Sequence, residues 1–237
     1  MRPTKGAAAQ ALQKVPFFSN LSQDEADKLT KRLVPRRFNQ IIFHHGDPGG
    51  LLYIITKGKV KITHSTPDGQ EALLAILGAG DFFGELALLD DSPRSATAEA
   101  IEPTDVLTLH REEFMRFMSS NPDFSMHVLQ TMAKRIRHLN KQVSDIFFLD
   151  LPGRLARILL QLAEDHGRQT DDGIVIEINL TQTDLAEMVG ATRVSINKAL
   201  GRFRRAKWIK SSGRRFTILK PDALTNLIQM SGGSFYQ

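Results

Sequence analysis

Between Asn121 and Phe147 the chain places Leu129, Met132, Ile136, Leu139, Val143 and Ile146 at spacings of 3, 4, 3, 4 and 3. Such a heptad stripe occupies one narrow seam of an α-helix, and here it runs for about five turns. A helix that packs on its own domain presents a broader apolar face, so this one is expected to pair with a second copy in a parallel coiled coil, making a homodimer. The seam also divides the chain. The residues on its two sides obey different periods, and 237 residues leave room for a core on each side.

Before the seam, short apolar runs recur at Gln40 to Phe43, Leu51 to Thr56, Lys59 to His64, Ala72 to Leu77 and Val106 to His110. Glycines and aspartates at 46, 47, 49, 50, 58, 68, 69, 78 and 80 separate them. Many short strands at even spacing predict a small antiparallel barrel or jelly roll. His44 and His45 beside Asp47 share one loop, and no second ligand cluster accompanies them, which argues against a metal site.

One stretch of this region carries chemistry: Phe82-Phe83-Gly84-Glu85-Leu86-Ala87-Leu88-Leu89, a short spacer, then Pro93-Arg94-Ser95-Ala96-Thr97. Gly84 lets its backbone approach a ligand closely. Glu85 to Leu89 suits one or two helical turns, whose first amides, at Glu85 and Leu86, are unpaired and favour an anion. Arg94 offers two parallel donors to phosphate oxygens, and Ser95 adds a hydroxyl or amide beside it. Glu85 only accepts hydrogen bonds, so next to a phosphate it suits a sugar hydroxyl. On chemistry alone, a plain strand-turn-strand with a Glu85–Arg94 ion pair fits as well.

Beyond the seam, Asp150 and Pro152 suit the cap and first turn of a new helix. The segment Leu180 to Leu200 then reads as two short helices, with Thr181 and Thr192 as N-caps and Gly190 ending the first, a helix-turn-helix spacing. Ala186, Val189, Ile196, Leu200 and Phe203 fall on facing sides as core, while Arg193, Val194, Asn197 and Lys198 fall on the opposite face. Between Arg193 and Lys220 there are ten Lys or Arg and no Asp or Glu, against a net charge of +5 for the whole chain. A surface so one-sided suits a polyanion. With Ser211 to Arg215 as a hairpin tip, a winged helix-turn-helix is expected, reading double-stranded DNA. Arg193 suits guanine and Lys198 a base or a phosphate. Thr192, Ser195, Arg214 and Arg215 suit phosphates, which position without specifying sequence.

The run from Phe83 to Thr97, the strand-rich region before it and the helix-turn-helix after it together resemble the bacterial cyclic-AMP receptor protein and fumarate-nitrate regulator superfamily. That resemblance covers nearly the whole chain. It implies an α+β protein with an N-terminal antiparallel jelly-roll cyclic-nucleotide-binding domain (1–120), a dimerisation helix and hinge (121–149) and a C-terminal winged helix-turn-helix domain (150–237). It implies that Gly84, Glu85, Leu86, Arg94 and Ser95 bind a cyclic nucleotide, Glu85 through the ribose 2'-hydroxyl and Arg94 through the cyclic phosphate. It further implies an allosteric transcription activator that meets RNA polymerase on a palindromic operator. In cyclic-AMP-responsive members two adjacent polar residues of the long helix bind the adenine. Here those positions hold Leu139 and Asn140, so Asn140 is left to read the base alone. Cyclic AMP is the expected ligand, with cyclic GMP, a cyclic dinucleotide and a ligand-independent form as the alternatives. The familiar members carry Arg-Glu at the start of the recognition helix, whereas this chain has Arg193-Val194, and a valine packs on a thymine methyl instead of accepting from cytosine.

Other classes find little support. Without cysteine there are no disulfides and no cysteine-ligated zinc or iron-sulfur cluster, which sets the chain apart from the oxygen-sensing branch. No cofactor is expected beyond the allosteric nucleotide. Neither a zinc-type His-Glu-x-x-His, nor a P-loop, nor a nucleophile elbow occurs, so a cyclic-nucleotide-dependent enzyme is the distant alternative. Residues Met1 to Ala9 lack a signal-peptide apolar core and the chain has no run of about 18 apolar residues, pointing to a cytoplasmic protein that does not enter a membrane.

Overall fold

The computed structural model describes residues 23–232; the expectation for Met1 to Ala9 lies outside them. The chain divides into two compact units between Ile136 and Arg137.

The first unit holds two four-stranded antiparallel sheets. Strands β1 (Val34–Phe38), β3 (Leu51–Lys57), β6 (Phe82–Phe83) and β8 (Thr104–His110) are ordered β1-β8-β3-β6. Strands β2 (Ile41–Phe43), β4 (Val60–Ser65), β5 (Glu71–Leu77) and β7 (Thr97–Ala100) are ordered β2-β7-β4-β5. This is the expected jelly roll. The five strands anticipated from apolar runs are present, and β1, β6 and β7 join them.

Period-two alternation explains how β3 serves two cores at once. Tyr53 and Ile55 point between the sheets with Val60, Phe83, Ala98 and Val106. Leu52 and Ile54 point the other way, into a layer of helices: α1 (Gln23–Thr30), α3 (Arg111–Ser120) and the start of α4 (Pro122–Phe148). Phe114, Phe124 and Val128 anchor that layer. A strand covered on both faces reads as one continuous apolar run, which is why it was visible in the sequence. The two neighbouring phenylalanines of β6 split in the same way, Phe82 to the helices and Phe83 between the sheets.

Helix α4 matches the expected span to within one residue at each end. Along its seam Leu129, Ile136, Leu139, Val143 and Ile146 are each 52–61% exposed on the single chain. Met132 departs from the stripe and packs partly against the helical core of the first unit.

The second unit opens with α5 (Leu151–His166), capped as expected by Asp150, whose Oδ1 accepts from the Gly153 amide at 2.8 Å. Helices α6 (Gln182–Val189) and α7 (Arg193–Arg205) come after the hairpin of β9 (Gly167–Thr170) and β10 (Gly173–Ile176). Strands β11 (Ile209–Ser212) and β12 (Arg215–Ile218) complete the sheet in the order β11-β12-β10-β9. Helix α8 (Pro221–Gly232) packs on α5. Leu155, Leu159, Ile176, Leu185, Ile196, Leu200, Phe216 and Ile218 are buried in this unit. Among the described residues no helix is long and apolar enough to cross a membrane.

Candidate functional site

The cassette begins where β6 ends. Gly84 adopts φ +82, a left-handed conformation, and a Cβ added there would lie 2.6 Å from Arg94 Nη1 and 3.1 Å from the Leu51 carbonyl. The glycine is therefore required twice, by its conformation and by the guanidinium that crosses it. A single helical turn, α2 (Leu86–Leu89), comes next, with Ala87 and Leu88 buried and Leu86 exposed. The chain then runs through the exposed Ser92 and Pro93 into Arg94, and Ser95 lies exposed beside it.

Arg94 is 4% exposed. Its Nη1 donates to the Gly84 carbonyl at 2.8 Å and its Nη2 to the Leu51 carbonyl at 2.9 Å. The guanidinium carbon sits 4.3 Å from the centre of the Phe43 ring and 5.6 Å from that of Tyr53, and Tyr53 in turn stacks on Phe83 at 5.0 Å. The Nε is buried with no partner. Burial pushes the guanidinium below its ordinary pKa, and the neighbouring Tyr53, Glu85 and Asp47 only offset this. The same burial raises the Tyr53 hydroxyl, against the pull of Arg94. A buried cation supported by carbonyl dipoles and ring faces in place of a bonded carboxylate is expensive to hold, and it favours an incoming anion.

Glu85, also 4% exposed, does not pair with Arg94. Its Oε1 accepts from Arg135 Nη1 at 2.5 Å; Arg135 Nη2 donates to the Phe82 carbonyl at 2.7 Å, and that guanidinium lies 4.5 Å from the Phe82 ring centre. The Glu85–Arg94 ion pair that the cassette's chemistry also allowed is replaced by a bond to α4. Arg135 carries no signal in the sequence, and neither do the Phe43 and Tyr53 rings around Arg94. Fifty positions separate Glu85 from Arg135, and no local spacing links a strand-end carboxylate to a distant helix.

Gly84, Glu85, Leu86, Arg94 and Ser95 all lie in the first unit, where Arg94 crosses Gly84. Leu139 and Asn140 belong to the second, both exposed on α4. Of the histidine loop, Asp47 Oδ2 accepts from the His44 amide at 2.8 Å, while the His45 ring packs on His64. Among the described residues no group of three or more His, Asp or Glu is arranged to hold a metal ion.

In the second unit, α6 begins with a reciprocal cap: Thr181 Oγ1 accepts from the Asp184 amide at 3.0 Å and Asp184 Oδ2 accepts from the Thr181 amide at 2.7 Å. Gly190 ends it at φ +68. Thr192 caps α7, its Oγ1 accepting from the Ser195 amide at 3.2 Å and donating to the Ser195 hydroxyl at 3.0 Å. Ile196, Leu200 and Phe203 are all buried, as are Ala186 and Val189. Arg193, Val194, Asn197 and Lys198 all face solvent. The hairpin of β11 and β12 turns at Gly213-Arg214, with Arg214 and Arg215 exposed. This is a winged helix-turn-helix whose recognition helix and wing are basic and carry no carboxylate.

Two family models match the chain: a cyclic nucleotide-binding domain over residues 36–121 and a Crp-like helix-turn-helix domain over residues 153–227. A CRP-like cAMP-activated global transcriptional regulator of Mycobacterium tuberculosis (strain CDC 1551 / Oshkosh) is 36% identical over 217 residues, covering 91% of this chain and 97% of the relative. The chain belongs to the CRP/FNR superfamily.

Other members are similar in the same way. A global nitrogen regulator of Nostoc (strain PCC 7120 / SAG 25.82 / UTEX 2576) is 33% identical, covering 79% of this chain and 85% of its own length. Among solved structures, the c-di-GMP responsive global regulator CLP of Xanthomonas campestris superposes with a TM-score of 0.72 at 20% identity, covering 83% of this chain and 99% of that one, which shows the shared CRP/FNR fold. As a CRP/FNR member the protein is a transcription regulator with a cyclic-nucleotide-binding domain and not an enzyme.

Proposed function

We propose that the protein is a homodimeric, sequence-specific DNA-binding regulator switched by cyclic AMP. The observation that carries the nucleotide reading is Arg94: a buried guanidinium with an unpartnered Nε, crossing Gly84 at the end of β6, is a cation arranged for an anion. Its supporting neighbour Glu85 offers a carboxylate to a ribose hydroxyl. Cyclic AMP is favoured among nucleotides by the 36% identical relative named as cAMP-activated. Asn140 is the base-reading candidate. The second reading is a cyclic dinucleotide, favoured by the apolar Leu139 and by a c-di-GMP responsive protein of the same fold.

Dimerisation rests on the exposed seam of α4, five residues of which remain more than half solvated on one chain. Two recognition helices related by a dyad call for a palindrome with half-sites about 34–36 Å apart. Arg193 reads guanine in each half, Val194, 65% exposed, packs on a thymine methyl, and Asn197 and Lys198 complete the face. Thr192, Ser195, Arg214 and Arg215 take phosphates. In the bound state the nucleotide favours one packing of the seam, and that packing orients the recognition helices, so nucleotide and DNA affinities are reciprocally coupled. The functional division is 1–120, 121–149 and 150–237, and the setting is the cytoplasm, at promoters where the dimer meets RNA polymerase.

One titration series tests this. Cyclic AMP, cyclic GMP and cyclic di-GMP are each added to the purified protein, with melting temperature and binding to a selected duplex as readouts. At a hundredfold excess over Kd, cyclic AMP is expected to stabilise by about 2.7 kcal/mol and to tighten DNA binding. A response to cyclic di-GMP alone establishes the second reading, and indifference to all three ends the nucleotide switch.

A further inference from the structure

The second unit contains a cleft of about 330 Å³ between the start of α6, the recognition helix α7 and the wing hairpin. Three arginines line it, Arg193, Arg204 and Arg214, together with the Ser211 hydroxyl, and no acidic residue does. Arg193 and Arg214 already have assignments as base and phosphate contacts. Arg204 has none.

Two features give Arg204 a place in recognition. Arg193, Asn197, Gly201 and Arg204 recur at spacings of four, four and three, so they share one face of α7. Arg204 thus continues the reading face toward the wing. On that face Gly201 is bare: an added Cβ would find only the tip of Arg205, at 3.9 Å. A glycine inside a helix is less stable than an alanine would be, and no neighbour in the fold demands it. The bare position leaves the helix surface low between Asn197 and Arg204.

The orientation of Arg204 is fixed from the wing. Its Nη1 donates to Ser211 Oγ at 3.1 Å, and the wing is itself tied to the approach of α6 by the Leu180 amide, which donates to the Arg214 carbonyl at 2.9 Å. The cleft therefore has set walls, and the remaining guanidinium donors of Arg204 are available to it. Three like charges around one opening repel each other until an anion arrives.

We infer that Arg204 is a phosphate-binding residue, gripping a phosphodiester of the DNA backbone in the cleft between recognition helix and wing. The inference rests on the DNA-binding reading and deepens it. A phosphate contact adds affinity without sequence preference and releases counterions, so its signature is the salt dependence of binding.

The experiment measures binding of the intact protein, with its nucleotide, to a selected palindromic duplex and to a random duplex across a salt series. For Arg204→Gln the slope of log K against log salt is expected to become shallower by about one on both duplexes, with base preference unchanged. Arg204→Lys should restore the slope because it restores the charge. Arg214→Gln serves as a positive control. Arg204 is exposed, so the melting temperature of the variant should stay near that of the wild type; an unchanged slope in a normally folded Arg204→Gln protein, beside a shallower one for Arg214→Gln, overturns the assignment and leaves the DNA reading standing. Wild-type protein that binds neither duplex removes both. Inorganic phosphate at constant ionic strength separates the remaining source: a saturable rise in melting temperature that Arg204→Gln abolishes would make the cleft a small-anion site, again overturning the assignment.

Discussion

Two arginines proposed to contact anionic partners stand in opposite surroundings. Arg94 is buried, clamped by two carbonyls and lies against two rings, whereas Arg193 stands in water on the outer face of α7. In the proposed nucleotide site the cation is fixed before any ligand arrives, with its conformational cost met during folding. In the proposed DNA contact the Arg193 side chain keeps its freedom until a base edge immobilises it. The lesson is that a small anionic ligand is met by preorganisation, while a long polyanion is met by many loosely held charges.

The comparison is sharpest where it can be broken. Arg94→Leu removes a charge-assisted, desolvated contact, and cyclic-nucleotide affinity measured by calorimetry should fall about a hundredfold while nucleotide-free DNA binding is nearly unchanged. Equal affinity in the variant would remove Arg94 from the pocket. Arg193→Ala should cost about 1–3 kcal/mol at the matched guanine and relax preference at that base, as read by binding-site selection, with nucleotide affinity intact. A sharpened or unaltered consensus would assign the reading elsewhere.

Two of the glycines with positive φ, Gly84 and Gly190, give the smallest and cleanest contrast. Gly190→Ala meets nothing within 4 Å, so only the conformational penalty of about 1 kcal/mol should appear in thermal unfolding. Gly84→Ala carries the same penalty and also displaces Arg94 Nη1, so it should lose more stability and nucleotide affinity as well. Equal losses in the two variants would mean that the close approach at Gly84 is unimportant.

Legibility in the sequence tracked the range of the interactions. The strands β3, β4, β5 and β8 were visible because buried strands are apolar runs, whereas β1, Val-Pro-Arg-Arg-Phe, is an exposed edge strand with four of its five residues in solvent. Strand β6 is only two residues long, and β9, Gly-Arg-Gln-Thr, is polar. None of these offers a period. The cassette and the helix-turn-helix were legible because each compresses its chemistry into some twenty consecutive residues or fewer. Arg135 and the Phe43–Tyr53 cage were not, because only tertiary folding brings them to Glu85 and Arg94. Met132 shows the converse: it satisfies the heptad spacing yet leans toward the helical core, because a side chain near the start of α4 can still reach a nearer apolar surface.

The bond between Glu85 and Arg135 makes the cassette's carboxylate a shared acceptor. One end of the pair sits on the cassette turn and the other on α4, a single helical turn before Leu139 of the exposed seam. A sugar hydroxyl that takes up Glu85 must divide that carboxylate with the arginine. Under the proposed nucleotide switch, the long helix would then register occupancy of the pocket through competition for a common partner, with no need for the ligand to push on it.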